Sequence, residues 1–273
     1  ESQQFILGSR VKELEEKKKQ KDLEGEIYRK MDALLSKNEE LIKERTPKVS
    51  KNSAGYALWN IKNPAAGTFN LAKLICGSQG TLALWTKAKL ALVKPKEHRA
   101  MLVVFLSDIN ILPDVVHRVL PFHPESFESY DDHTFTLAVR FLPQMLSQMG
   151  FIRAAKLGVS FIPELEMVAT GGVPKLILMA EFAEDTIEEA DKKAFEAKQA
   201  LTGLPVQTKV EKDEKESEKY WIVRRESFAL LRKNLHGMYA SPFIDDFVVP
   251  PDCYPQFIPE LHALLDEYKD NFI

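Results

Sequence analysis

Met101-Leu102-Val103-Val104-Phe105-Leu106-Ser107-Asp108 reads as a buried strand running into a helix start. Six apolar residues in a row, rich in branched and aromatic side chains, suit a fully apolar strand better than a helix. Ser107 and Asp108 carry oxygens that can accept the free N–H groups of a first helical turn, which predicts a helix over Asp108–Leu120. The same texture continues downstream. Strands are expected over Pro124–Tyr130, Leu176–Glu181 and Pro205–Lys209, with helices over His133–Met149, Thr186–Leu201 and Trp221–Leu235. A strand over Ile244–Val249, closed by Pro250-Pro251, and a helix over Phe257–Phe272 complete the pattern. Acidic residues in the first turn of the Thr186 helix complement its positive end. This order predicts an α+β layer, a mostly antiparallel sheet with helices on one face.

Upstream of Ala100 the texture differs. Residues 9–45 read as one or two charged helices, with Leu23, Ile27, Met31, Leu34, Leu35, Leu41 and Ile42 at helical spacing. Pro47 ends them. Ala57–Ile61 is an apolar piece, and Phe69–Ile75 a short helix or strand. The alternation of Leu84, Thr86, Ala88, Leu90 and Leu92 predicts one or two strands over Leu82–Val93. Pro95 and the charged residues around it mark a boundary, dividing the chain into 1–96 and 97–273. Lys209–Lys219 holds nine charges in eleven residues and reads as a solvated helix start or loop.

Composition narrows the function. The chain has 273 residues, with 37 basic and 40 acidic side chains and a net charge of −3. No basic surplus exists for a sequence-independent grip on nucleic acid. Cys76 and Cys253 form no CxxC, so the chain alone makes no zinc knuckle or disulfide framework, and a reducing, cytoplasmic setting is expected. No run of about 18 apolar residues spans a membrane. Glycine is scarce, at 12 residues or roughly 4% against a usual share near 7%.

The strongest local motif is Gly77-Ser78-Gln79-Gly80-Thr81-Leu82. Two glycines three apart beside hydroxyl side chains let a backbone come close to a ligand and offer it donors, as pyrophosphate groups require. It lacks the lysine of a P-loop and the triple glycine of a dinucleotide turn. By itself it reads more readily as a tight turn. Lys51-Asn52-Ser53-Ala54-Gly55-Tyr56 stands upstream, and Trp221-Ile222-Val223-Arg224 far downstream.

In this order the three resemble the FAD-dependent 2-hydroxyacid dehydrogenases, a family including D-lactate dehydrogenases, the glycolate oxidase flavin subunit and D-2-hydroxyglutarate dehydrogenase. The matching residues are Gly77, Ser78, Gly80, Thr81, Leu82, Leu84 and Thr86, together with the Asn52 to Tyr56 stretch. Phe243 to Pro250 resembles the family's acidic strand ending in Val-Pro. The resemblance implies the C-terminal part of a PCMH-type FAD-binding domain, followed by an α+β cap domain. It implies FAD as cofactor, with Asn52, Ser53, Gly55, Tyr56, Gly77, Ser78, Gly80, Thr81 and Leu82 around it.

The implied chemistry is hydride transfer from C2 of a D-2-hydroxy acid of D-lactate or glycolate type. Electrons then pass to a quinone, cytochrome or flavoprotein partner, and the resemblance admits peripheral membrane association. A bidentate arginine suits a carboxylate; Arg224 is the candidate clamp and Arg225 the alternative. Gln79 replaces the family's Glu and Ala83 its Gly, which puts the backbone path near the flavin in question. The family's glycine-rich pyrophosphate loop and histidine-rich stretch have no counterpart here. The expectation is therefore a fragment cut at both ends that binds FAD poorly and lacks the catalytic base.

His98, His117, His123, His133, His236 and His262 form no ligand spacing, and no metal is assigned. Asp131-Asp132-His133 reads as a helix cap, and Asp245 and Asp246 as a solvated pair. Trp59, Trp85 and Trp221 read first as packing residues, Trp85 lying inside the second motif. Two other readings stay open: a flavoprotein-derived binding or regulatory subunit without a working flavin, and a flavin-dependent ether-lipid synthase.

Overall fold

The computed structural model describes residues 9–49, 52, 55–148, 159, 161–162, 164, 172–212, 214–234 and 247–268. The chain divides into two compact units, residues 1–92 and 93–273.

The first unit carries helices α1 (Val11–Lys19), α2 (Leu23–Lys37) and α3 (Glu39–Arg45). The charged stretch is broken where Asp22 takes the N-cap of α2 and accepts from the Gly25 N–H at 2.9 Å. Gly25 has no alternative, because a Cβ there would lie 2.2 Å from the Gln20 carbonyl oxygen. Strands β1 (Ser9–Arg10), β2 (Lys62–Asn63) and β3 (Thr68–Phe69) form a small antiparallel sheet in the order β1-β3-β2. The short helix α4 (Ala72–Ile75) comes next. Leu14, Tyr28, Leu35, Ile61, Phe69 and Leu71 make the core of this unit.

Residues 82–93 depart from expectation. They form no strand, and Leu84, Trp85, Leu90, Leu92 and Val93 are exposed, Leu84 at 96%. Alternation supplies the side-chain pattern of a strand, but a strand also needs a neighbour to take its N–H and C=O groups. None pairs with this segment among the described residues.

The second unit is built on a four-stranded antiparallel sheet. Its strands are β4 (His98–Leu106), β5 (Ser126–Asp131), β6 (Leu176–Glu184) and β7 (Gln207–Glu211), in the order β5-β6-β4-β7. Its helices are α5 (Leu112–Val119), α6 (Asp132–Gln148), α7 (Ile187–Ala200), α8 (Glu214–Asn234) and α9 (Tyr254–Asp266). Caps set the starts of α6 and α7 as the sequence suggests. Asp131 accepts from the Thr134 N–H at α6 and Thr186 from the Glu189 N–H at α7. Asp108 instead accepts from the Asn110 N–H of a 3₁₀ turn over Ile109–Ile111, and α5 starts only after it, at Leu112, with no side-chain cap.

The antiparallel α+β class holds, with one correction. Helices cover both faces of the sheet. On one face Ala100, Leu102, Val104 and Leu106 pack with Val115 and Val119 of α5 and with Ala190, Ala194 and Ala197 of α7. On the other, Met101, Val103 and Phe105 pack with Phe135 and Ala138 of α6 and with Tyr220, Ile222 and Val223 of α8. The physical reason lies in β4. Its residues 100 to 106 are all buried, and successive side chains of a strand point to opposite faces, so each face needs its own cover.

Register places charged residues on the face beneath α8. Met101 pairs with Glu181 on one side and with Glu211 on the other, so both carboxylates share one row with Ser126. The next row on that face runs Glu128, Met179, Val103, Lys209. Residues 247–250 lie in no regular element. Residues 243–246, with Asp245 and Asp246, lie outside the described residues, as does His236. Among the described residues no helix is long and apolar enough to cross a membrane.

Candidate functional site

In the first unit the two motif loops are joined. The Tyr56 and Thr81 hydroxyls lie 2.8 Å apart, 25 residues distant in sequence. Thr81 also returns to its own turn, its N–H and hydroxyl both donating to the Ser78 carbonyl at 3.0 and 2.6 Å. Ser78 is buried, and its N–H donates to the Ile75 carbonyl at 3.1 Å, tying the turn to the end of α4.

Backbone angles show why glycine stands at 77 and 80. Gly77 has φ +87° and Gly80 has φ +75°, in the left-handed region that side chains disfavour. Gln79 between them takes φ +50°, so the strained non-glycine residue is Gln79, while Ala83 stays at negative φ. Open space faces Gly80, for a Cβ there would meet nothing within 4 Å. The glycine therefore serves the turn and leaves its surface clear. Gly80→Ala is expected to cost about 1 kcal/mol from the left-handed φ alone, read as a shifted urea midpoint with an unchanged slope.

The cradle suits a phosphate-bearing cofactor: a left-handed turn with open space before it, hydroxyls on two joined loops, and an exposed Gly55 at φ +64°. Asn52 and Leu82 are exposed, and Ser53 lies outside the described residues.

In the second unit Arg224 stands on α8 with its side chain about half exposed. Its Nη2 donates to Glu128 Oε2 of β5 at 3.3 Å. One turn earlier, Trp221 Nε1 donates to Glu181 Oε1 at 3.3 Å. Arg99 of β4 donates to the other oxygen of Glu181 and lies 3.6 Å from Glu125. Arg225 Nε turns back to the Trp221 carbonyl at 3.4 Å.

Beside this lies a cluster that composition misread. Lys209, Glu211 and Lys219 belong to the charge run expected to be solvated, yet Glu211 and Lys219 are buried and Lys209 is half-buried. Glu164 Oε1 takes the Tyr220 hydroxyl at 2.5 Å, Lys219 Nζ at 2.8 Å and Lys209 Nζ at 3.3 Å. Glu211 Oε1 faces Lys209 at 2.8 Å and Lys219 at 3.5 Å. Burial alone would raise the Glu164 carboxyl. Hydrogen bonds from Lys219 and Tyr220, with the two lysine charges, outweigh that and hold it below the usual range. Burial pulls the Lys219 ammonium downward against the pull of Glu164. Lys209, more exposed, is held above its usual value by Glu211 and Glu164 although burial opposes this. The only sequence signal for the cluster is a lysine beside Tyr-Trp at the head of α8.

Asp131, Asp132 and His133 bring ligand atoms within 4.8 Å of one another. One oxygen of each carboxylate serves the fold: Asp131 Oδ1 caps α6, and Asp132 Oδ2 accepts from Lys175 at 2.8 Å. Trp85 is exposed and Trp221 is half-buried against the core.

A family model described as FAD linked oxidases, C-terminal domain, matches residues 95–273. Among curated proteins, the D-2-hydroxyglutarate dehydrogenase of Pantoea ananatis is 26% identical over 253 residues, covering 90% of this chain and 23% of the relative. The protein of the same name from Pseudomonas putida is 27% identical over 254 residues, covering 89% and 23%. That of Escherichia coli is 25% identical over 256 residues, again covering 89% and 23%. The chain thus spans about a quarter of the length of the curated relatives it matches.

Proposed function

The chain belongs to the FAD-linked oxidases, and from that premise we propose that it serves the FAD-dependent oxidation of a D-2-hydroxy acid. The relatives' names favour a dicarboxylic acid of the D-2-hydroxyglutarate type over the lactate or glycolate type that the motifs first suggest. In this reading residues 1–92 carry the last part of the flavin-binding domain and residues 93–273 the cap. Bound FAD supplies hydride acceptance from the substrate carbon, chemistry that no side chain provides.

The chain's own residues bind and orient. The Gly77–Thr81 turn offers cofactor phosphates its backbone at Gln79 and Gly80, while the Thr81 and Tyr56 hydroxyls, bonded to Ser78 and to each other, hold the turn and the Tyr56 loop together. Arg224 grips the substrate carboxylate, because a guanidinium matches the two oxygens of a carboxylate with parallel donors. Glu128 is the carboxylate that Arg224 faces in this structure, and its 3.3 Å contact puts the guanidinium within reach of an anion. That contact is the observation on which the reading rests. A quinone, cytochrome or flavoprotein takes the electrons.

Mixing the flavin-loaded enzyme with D-2-hydroxyglutarate should bleach the oxidised flavin absorption band, while L-2-hydroxyglutarate leaves it intact. Bleaching by D-lactate alone would overturn the dicarboxylate assignment. A protein that retains no flavin and bleaches with no hydroxy acid would favour the regulatory-subunit reading.

A further inference from the structure

Helix α8 is held at three consecutive residues, and carboxylates do the holding. Trp221 Nε1 donates to Glu181, which shares a sheet row with Glu211 across Met101. The Tyr220 hydroxyl donates to Glu164 at 2.5 Å and lies 3.4 Å from Glu211. Lys219 bonds Glu164 at 2.8 Å. Tyr220, Lys219, Glu164 and Glu211 are all buried. Apolar side chains of like volume would fill the same space without the desolvation cost of buried charges, and the best-attested return on such a cost is a fixed register.

Register matters because Arg224 stands one turn further along the same helix. Tyr220 and Arg224 are four residues apart and so share a helix face. A slip of one residue would move Arg224 about 1.5 Å along the axis and about 100° around it. Its guanidinium would then leave the sheet row of Glu128.

We propose that Tyr220 and Trp221 are positioning residues, which fix the rotation and axial register of α8 so that Arg224 meets the substrate carboxylate. This rests on the assignment of Arg224 as the clamp. The two residues act through Arg224 and touch neither substrate nor cofactor.

Steady-state kinetics of the flavin-loaded enzyme with D-2-hydroxyglutarate test it. Tyr220→Phe removes one hydroxyl and keeps the ring that packs on Phe105. Trp221→Phe removes the indole N–H and leaves the Glu164 cluster intact, so it serves if the first variant folds poorly. Each should raise KM on the order of tenfold with kcat within about twofold, since a small misplacement of a binding group can cost up to about 10²-fold. Flavin content should not change. Tyr220→Phe added to Arg224→Ala should raise KM no further. An unchanged KM in both single variants, with Arg224→Ala raising it, overturns the positioning role and leaves the clamp standing. An unchanged KM in Arg224→Ala overturns the clamp itself. A full extra rise in the double variant shows that Tyr220 acts other than through Arg224 and also overturns the proposal.

Discussion

Arg224→Ala is expected to lower kcat/KM of the flavin-loaded enzyme for its 2-hydroxy acid by about 10²- to 10³-fold. Truncating one partner of a hydrogen-bonded charge pair costs about 2–5 kcal/mol, and each 1.4 kcal/mol is tenfold. The loss should fall mainly on KM if the guanidinium holds ground state and transition state alike. Arg224→Lys should recover only part of it, because a lysine ammonium is a point charge without the parallel donors. Folding stability is a separate readout and should barely move. The Arg224–Glu128 pair is about half exposed, and exposed pairs contribute about 0–1 kcal/mol. An Arg224→Ala enzyme with wild-type kcat/KM would remove the clamp from the reading.

The same contrast between local and distant information explains what the sequence discloses. The Gly77–Thr81 turn is legible because its cause is local: two glycines at left-handed φ and a threonine reaching back three residues. The caps at Asp108, Asp131 and Thr186 are local in the same sense. The cover on both sheet faces is implicit in the unbroken apolar run of β4, a pattern that belongs to strands buried on both sides. Leu82–Val93 shows the limit. Its alternation carries no information about whether a neighbouring strand exists. The charge run Lys209–Lys219 misleads for a related reason. Burial of Lys219 depends on Glu164, 55 positions earlier, and no local property of either residue announces the pair.

That cluster gives the largest expected effect on stability. Two buried glutamates face two lysines there, so Glu164→Ala removes a carboxylate that both Lys209 and Lys219 face. Breaking a buried pair from one side costs about 3–5 kcal/mol, a large share of the roughly 5–15 kcal/mol that holds a domain of ordinary stability. Lys219 determines the size, because it is buried and cannot carry an unpaired charge into water without moving the head of α8. The effect should depend on pH with a defined sign. The Glu164 carboxyl titrates below its ordinary value of 4.5 in the folded chain. Its contribution is therefore fully present above about pH 4.5 and lost as pH falls through the lower folded value. Urea midpoints of the unmodified protein should drop through this acid range, while Glu164→Gln should start lower at neutral pH and lose less on acidification. Replacing Glu164, Lys209, Glu211 and Lys219 together by apolar residues of similar volume should restore much of the loss, since it removes the charges along with the need to pair them. An acid slope identical in the unmodified protein and Glu164→Gln would show that the carboxylate is not the group whose charge secures α8.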